Sequence, residues 1–164
     1  MNAILKPITM PEVQFQALTA EWLDRVLDIE NAVYPHPWSR DNFEDSIRTG
    51  YQMQVLTTGN DEKSDILGYF IAMKGFEEVH LLNITVSESF QRQGWARTML
   101  DALAVWSSGQ GATWLWLEVR GSNERALQVY KAHGFKQVSI RKDYYPKGPK
   151  ANGREDAVVM SLKL

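Results

Sequence analysis

Three stretches of this chain carry side chains whose type and spacing could do chemistry. The first is Gln91-Arg92-Gln93-Gly94-Trp95-Ala96-Arg97, which follows a run of branched apolar residues and leads into a run of helical period. A turn from strand into helix offers free backbone N–H groups and the positive end of the helix, so it can hold an anion such as a phosphate, and Arg92 and Arg97 set two cations beside it. Taken alone, such a turn with one glycine is most often only a turn; the paired arginines weigh against that. No Lys-Ser or Lys-Thr follows, and the glycine spacing of a dinucleotide fold is missing, so ATP and NAD are poor candidates. The second feature is Glu118, a carboxylate inside the apolar run of Trp114, Leu115, Trp116, Leu117 and Val119. By strand alternation it shares a face with Trp114, Trp116 and Arg120. It reads either as half of an ion pair with Arg120 or Arg92 or as a group that moves a proton. The third is Asn123 with Tyr130, seven residues apart and therefore on one helical face, about 10.5 Å apart along the axis. That separation suits two points on one extended ligand, although Tyr130 by itself also reads as a half-buried aromatic with a wet hydroxyl.

The elements that must position these groups follow from periodicity and punctuation. Residues 13–18 alternate like a short strand, and Thr19 is placed to cap a helix carrying Trp22, Leu23, Val26, Leu27, Ile29 and Val33 at helical spacing. Tyr34-Pro35-His36-Pro37-Trp38 forbids helix, Ser39 caps a second helix to about residue 49, and Gly50 stops it. Residues 52–57 and 66–74 read as strands joined by a polar loop at 58–65, and 79–86 as a third strand. A helix over about 95–107, with Met99, Leu100, Leu103 and Trp106 on one side, is followed by a strand at 113–119. Ser122 is placed to cap the next helix, to about residue 133, with Gly134 as a left-handed stop. Strands at 135–145 and 157–162 flank a Lys, Gly and Pro loop. Strand, helix, strand, helix, strand in the middle of this order is a parallel signal, so the fold class is α/β with antiparallel pairs in front and a parallel pair at the centre.

The motifs resemble those of the GCN5-related N-acetyltransferases (GNAT). Gln91-x-x-Gly94-x-Ala96 is similar to that family's acetyl-CoA pyrophosphate motif. Leu82-Asn83-Ile84-Thr85-Val86, Leu115-Trp116-Leu117-Glu118-Val119-Arg120, Ser122-Asn123 with Ala126, Tyr130 and Gly134-Phe135, and Tyr144-Tyr145-Pro146 with Gly153-Arg154-Glu155-Asp156-Ala157 resemble its RimI-type branch. The likeness runs from about residue 15 to 162. It departs at the polar loop 58–65, at an N-terminal extension over residues 1–12, and at Ala96, where glycine is common. It implies a single domain over 1–164 with a mixed sheet, a splayed parallel central pair and about four flanking helices. It implies acetyl-CoA as co-substrate, the N-terminal alanine of a small-subunit ribosomal protein as acceptor, and direct attack without a covalent enzyme intermediate, which suits a chain with no cysteine and no Ser-His-Asp pattern.

Carried over by position, the resemblance gives the backbone of Ile84, Thr85 and Val86 to the pantetheine arm and Arg92, Gln93, Gly94, Trp95, Ala96 and Arg97 to the pyrophosphate. Asn123 would bond the arm, Tyr130 would stand beside the sulfur as general acid, and Glu118 would be the general base. A strand N–H near Thr85 or Val86 would serve the oxyanion. Tyr34, Trp38, Tyr144 and Tyr145 would border the peptide groove. The same resemblance leaves open a small-molecule amine or a protein lysine as acceptor, and a binding module that has lost turnover.

Composition bounds these readings. With 164 residues there is room for one domain, and 44% hydrophobic against 23% charged residues excludes disorder. A net charge of -2 disfavours general nucleic-acid binding, and Lys142, Lys147, Lys150 and Arg154 read more simply as a solvated loop. His36, His80 and His133 are too scattered for a metal site, and His133 before Gly134 reads as a helix C-terminal cation. The charge-free stretch 102–117 is broken by Ser107-Ser108-Gly109-Gln110-Gly111 and is too short to span a bilayer, and no secretory signal is visible. A cytoplasmic protein with no membrane partner is the expectation.

Overall fold

The computed structural model describes residues 12–61, 63–147 and 152–164, so the expected extension, apart from Glu12, lies outside the described residues, as does the centre of the loop after Lys147. The chain runs β1 (Gln14–Ala17), a 3-10 turn (Ala20–Trp22), α1 (Leu23–Val33), α2 (Arg40–Thr49), β2 (Gln52–Thr57), β3 (Ile66–Lys74), β4 (Glu78–Val86), a second 3-10 turn (Glu88–Phe90), α3 (Trp95–Gly109), β5 (Trp114–Arg120), α4 (Glu124–His133), β6 (Lys136–Pro146) and β7 (Arg154–Lys163).

Local signals account for most of these limits. Ser39 and Asn42 form a reciprocal cap, with Asn42 N donating to Ser39 Oγ at 3.2 Å and Ser39 N to Asn42 Oδ1 at 2.9 Å. Gly50 and Gly134 end α2 and α4 at φ 79° and 111°, where a side chain would be strained. Tyr34 is extended because Pro35 follows it. Two caps differ from expectation. Thr19 precedes the 3-10 turn and makes no side-chain cap. On α4 the cap is Asn123 and not Ser122: Asn123 Oδ1 accepts from Ala126 N at 3.2 Å.

One sheet holds all the strands, in the order β1-β2-β3-β4-β5-β7-β6. Every pairing is antiparallel except β4 with β5, which runs from Glu78↔Trp114 to Leu81↔Leu117 and stops there. The stop has a visible cause. Opposite β3, Ile71 pairs with Asn83 and Ala72 with Leu81, so Leu82 is an extra residue, a bulge that bends and twists β4 where it leaves β5. Helices cover β3 on both faces, and its burial is correspondingly continuous rather than alternating. Met99, Leu100 and Leu103 of α3 pack with Leu81, Leu115, Leu117 and Phe135 on one face, whereas Leu23, Val26 and Phe43 of α1 and α2 pack with Val55, Tyr69 and Ile71 on the other.

Gly68 sits between β4 and α3. A Cβ there would run into the Thr85 carbonyl and lie 2.8 Å from Met99 Cε. Gly68→Ala should therefore cost about 1 to 3 kcal/mol, the usual range for overpacking, read as a lower urea midpoint at unchanged slope.

Candidate active site

The parting of β4 and β5 opens a cleft of about 830 Å³ between them, closed at its sides by α3, α4, the loop from α1 to α2, and Tyr145 of β6. All the site residues expected from sequence line it except Thr85, Gln93 and Tyr144. Gln93 is exposed on the outer side of its turn, accepting from Trp95 Nε1 at 3.4 Å. Tyr144 stands on the rim against Tyr145, ring centroids 4.9 Å apart.

Just past the end of β4, the Ser87 N–H donates to the Leu67 carbonyl of β3 at 2.9 Å, and by strand alternation the backbone of Thr85 faces β3 as well, while Ile84 and Val86 face the cleft. This corrects the expectation for Thr85, whose backbone is committed to β3 and whose side chain is buried on the α1 side. The carbonyls of Ile84 and Val86 are already taken, the first by the Tyr34 hydroxyl at 2.8 Å and the second by Gln91 Nε2 at 3.2 Å. Their amides are left facing the cleft as donors.

Helix α3 begins at Gly94, whose φ of 88° only glycine adopts without strain, and it has no side-chain cap and no acidic residue in its first turn. The N–H groups of Trp95, Ala96 and Arg97 thus point outward beside Arg92, itself held at φ 61°. Arg97 lies 4.0 Å from Asp101 and is otherwise exposed. Backbone donors and two guanidinium groups in this arrangement can hold an anion.

Glu118 lies just beyond Leu117, the last β5 residue paired to β4. Its carboxylate accepts from Arg141 Nη1 at 2.7 Å, so its ion-pair partner is on β6 and is neither Arg120 nor Arg92, the two that the ion-pair reading of the sequence offered. Arg120 is tied elsewhere, to Glu155 at 2.9 Å and the Pro146 carbonyl at 2.8 Å, with its guanidinium 4.5 Å from the Tyr145 ring centre. The Ser122 hydroxyl, and after it Arg120, hold the Glu155 carboxyl below the usual range. Across the cleft, Tyr130 packs edge-on against Phe135 at 5.8 Å and its hydroxyl has no hydrogen-bond partner among the described residues. Burial, and then the neighbouring phenols Tyr34 and Tyr145, push its pKa well up. Burial likewise raises Tyr34 and Tyr145 to about 12. All three phenols therefore stay neutral at physiological pH.

The family model described as Acetyltransferase (GNAT) family matches residues 23–135. Over 149 residues the chain is 34% identical to a [ribosomal protein bS18]-alanine N-acetyltransferase of Haemophilus ducreyi, covering 91% of this chain and 99% of that protein. The chain belongs to the GNAT acetyltransferase family. The crystal structure of the ribosomal-protein-S18-alanine N-acetyltransferase from Escherichia coli superposes with a TM-score of 0.80 at 32% identity, over 93% of this chain and 94% of that one. A GNAT family acetyltransferase from Elizabethkingia anophelis, solved with acetyl-CoA bound, shares the fold at a TM-score of 0.72 and 21% identity, over 93% and 98% of the chains.

Beneath this GNAT cleft lies a cluster that sequence reasoning missed. Glu30 of α1, 1% exposed, accepts from Trp38 N at 2.9 Å, from Asn83 Nδ2 at 3.2 Å and from the Tyr69 hydroxyl. Thr85 Oγ1 lies 2.8 Å from Asn83 Oδ1 and 3.0 Å from the Tyr34 hydroxyl. The cluster ties the loop after α1 to β3 and β4 and thereby sets Tyr34 and Trp38 against the cleft. The available signal was weak: a glutamate in a helix whose neighbours Val26 and Val33 are apolar. Glu30→Ala would leave two buried donors, the Tyr69 hydroxyl and Asn83 Nδ2, and the part-buried Trp38 amide without their acceptor, each buried one worth about 1 to 3 kcal/mol. We expect it to be among the most destabilising single substitutions of α1, measured by urea unfolding, with a loss of near-ultraviolet signal from the Trp38 and Tyr69 surroundings.

Proposed function

We propose that this protein transfers the acetyl group of acetyl-CoA to the α-amine of an alanine-first protein N-terminus, that of a bS18-type ribosomal protein, in the cytoplasm and without direct contact to nucleic acid. The observation that carries the reading is the cleft at the parting of β4 and β5, which brings a carboxylate on one wall opposite a neutral phenol on the other. The name of the Haemophilus ducreyi relative, at its level of identity and coverage, supports the acceptor.

The residues present fit the co-substrate. Ile84 and Val86 offer amides to an extended amide-bearing arm, as an added strand would use them. The uncapped start of α3, with Arg92 and Arg97, suits a pyrophosphate. A Cβ on Gly94 would meet no protein atom within 4 Å, so the space above it is open to a ligand. Asn123 has spent its carbonyl oxygen on the Ala126 amide and keeps its amide N–H₂ for the arm. Gln93, by contrast, contributes its backbone at most.

An α-amino group titrates near 7.7 to 8.0, so a carboxylate can relieve it of a proton near neutral pH, which it could not do for a lysine near 10.4. Glu118 takes that proton first, which frees the amine lone pair to attack the thioester carbonyl; as the C–S bond breaks, the second proton leaves the nitrogen and ends on the departing thiolate. An amide of Ile84 or Val86 stabilises the oxyanion, Thr85 facing away. Tyr130 stands by the leaving sulfur. Because burial raises its pKa well above that of a thiol, about 8.5, full proton transfer to the thiolate is uphill. The phenol acts first by hydrogen-bonding the charge that develops on sulfur, and being always protonated it can do so at any physiological pH.

The test sets an alanine-first peptide beside an N-blocked lysine peptide and a small amine; preference for either of the latter would replace the acceptor assignment. Glu118→Gln should lower turnover by about 10² to 10⁴-fold with acetyl-CoA affinity unchanged by calorimetry. A few-fold loss accompanied by lower stability would make Glu118 a structural ion pair instead. Tyr130→Phe keeps the ring on Phe135 and should reduce kcat by about 10²-fold, a typical loss for one donor to a developing charge, and a thioester with a more acidic thiol should recover part of it.

A further inference from the structure

Glu118 is already engaged in this structure, by a cation that cannot take part in its chemistry. The guanidinium of Arg141 donates to Glu118 Oε1 at 2.7 Å and lies over the Tyr144 ring, 4.0 Å from its centre. A guanidinium has donors only and keeps its charge, so it can neither receive nor pass on the amine's proton.

Several features mark this contact as removable. Both partners are open to solvent, Glu118 at 30% and Arg141 at 51% side-chain exposure, and one hydrogen bond joins them where durable arginine-carboxylate pairs use two. Arg141 is also the last β6 residue in register with β7 before the ladder shifts, the next pair being Tyr145↔Glu155. It also rests on the face of Tyr144 on the same strand, a contact that does not depend on Glu118. Arg120 offers a contrast: on the same side of β5, it is held by Glu155 and the Pro146 carbonyl and is not free to exchange.

We infer that Arg141 is a placeholder for the acceptor's ammonium group. Its guanidinium occupies Glu118 until a substrate amine arrives, then yields the carboxylate and remains on Tyr144. The inference rests on the reading of Glu118 as the base. An α-amine is mostly protonated at neutral pH, so the exchange replaces one cation by another and never leaves the carboxylate unpartnered. The groups facing Glu118 are Arg141, Tyr144 and Tyr145 of β6, Arg120 of β5 with its Glu155 partner on β7, and, beyond Tyr145, Tyr130 of α4. Tyr145 and Tyr130 stay neutral because burial raises both. Arg120 is paired with Glu155, and Arg141 is left as the cation on Glu118. Arg141 is thus a positioning and gating residue and touches neither reacting atom.

With an alanine-first peptide at saturating acetyl-CoA, Arg141→Gln should lower the peptide's KM by about 2- to 5-fold, since no internal cation competes for Glu118, so that the gain in kcat/KM comes from KM. The inhibition constant of the acetylated product peptide, which carries no ammonium group, should stay at its wild-type value. Arg141→Lys should restore the wild-type KM. A KM that is unchanged or raised in Arg141→Gln, or a product inhibition constant that falls in parallel with KM, would overturn the placeholder and leave Arg141 as a brace of the β6–β7 hairpin. Glu118→Gln keeps the two failures apart. If that variant is slow while Arg141→Gln leaves KM unmoved, only the placeholder is lost; if it turns over normally, the base assignment falls and the placeholder with it.

Discussion

One extra residue in β4 governs the site. With Leu82 inserted opposite the Ile71-Ala72 step of β3, pairing to β5 ends at Leu81↔Leu117, and the side chains beyond the bulge exchange faces. Before it, Val79 and Leu81 face α3; after it, Asn83 and Thr85 face α1, where Glu30 accepts from Asn83. In an unbroken strand Asn83 would turn toward the apolar cluster under α3, and Ile84 would meet the Glu30 carboxylate. The bulge thus does two things at once. It frees the edge that presents the Ile84 and Val86 amides, and it delivers polar side chains to Glu30, the one buried carboxylate among the described residues.

The two carboxylates near the cleft illustrate how burial assigns roles. Glu30 is surrounded by neutral donors from α1's own loop, β3 and β4, and removing any of them would leave a buried polar group unmatched, so it serves as a fastening. Glu118 is part exposed and joined by a single hydrogen bond to a mobile type of side chain, so its partner can change without much loss. The phenols follow the same logic. Desolvation holds Tyr34, Tyr130 and Tyr145 in their neutral form, and they can line a cleft beside two carboxylates without adding to its negative charge.

The β6–β7 hairpin is the less anchored wall. Strand β6 is at the sheet edge and exposed along almost its whole length, and its end is fastened to the rest by Arg120, through Pro146, Glu155 and the Tyr145 ring. Two interruptions of its register, one between Gln137 and Ser139 and the other between Arg141 and Tyr145, keep it from offering a flat free edge to another chain. The second interruption falls between Arg141 and Tyr145, the latter of which lines the cleft. Tyr145, which lines the cleft, and Arg141, which meets Glu118, are thus on the same edge strand.

Sequence alone determined most of the elements, the turn that opens α3, and the identity of Glu118, Asn123 and Tyr130 as candidates. Those features are written within a few residues of one another: branched runs between turn residues, Ser39 with Asn42, Gly50 and Gly134 at helix ends, and a seven-residue spacing on one helix. What the tertiary structure decided was partnership. Arg141, and not Arg120 or Arg92, meets Glu118, from 23 residues away in the chain. Glu30 meets Tyr69 and Asn83 across 39 and 53 residues. Asn123 and not Ser122 closes α4, and Thr85 turns its back on the cleft. Each of these depends on register between strands, where a shift of a single residue, Leu82, sends every later side chain to the opposite face, and no local pattern of residue types encodes it.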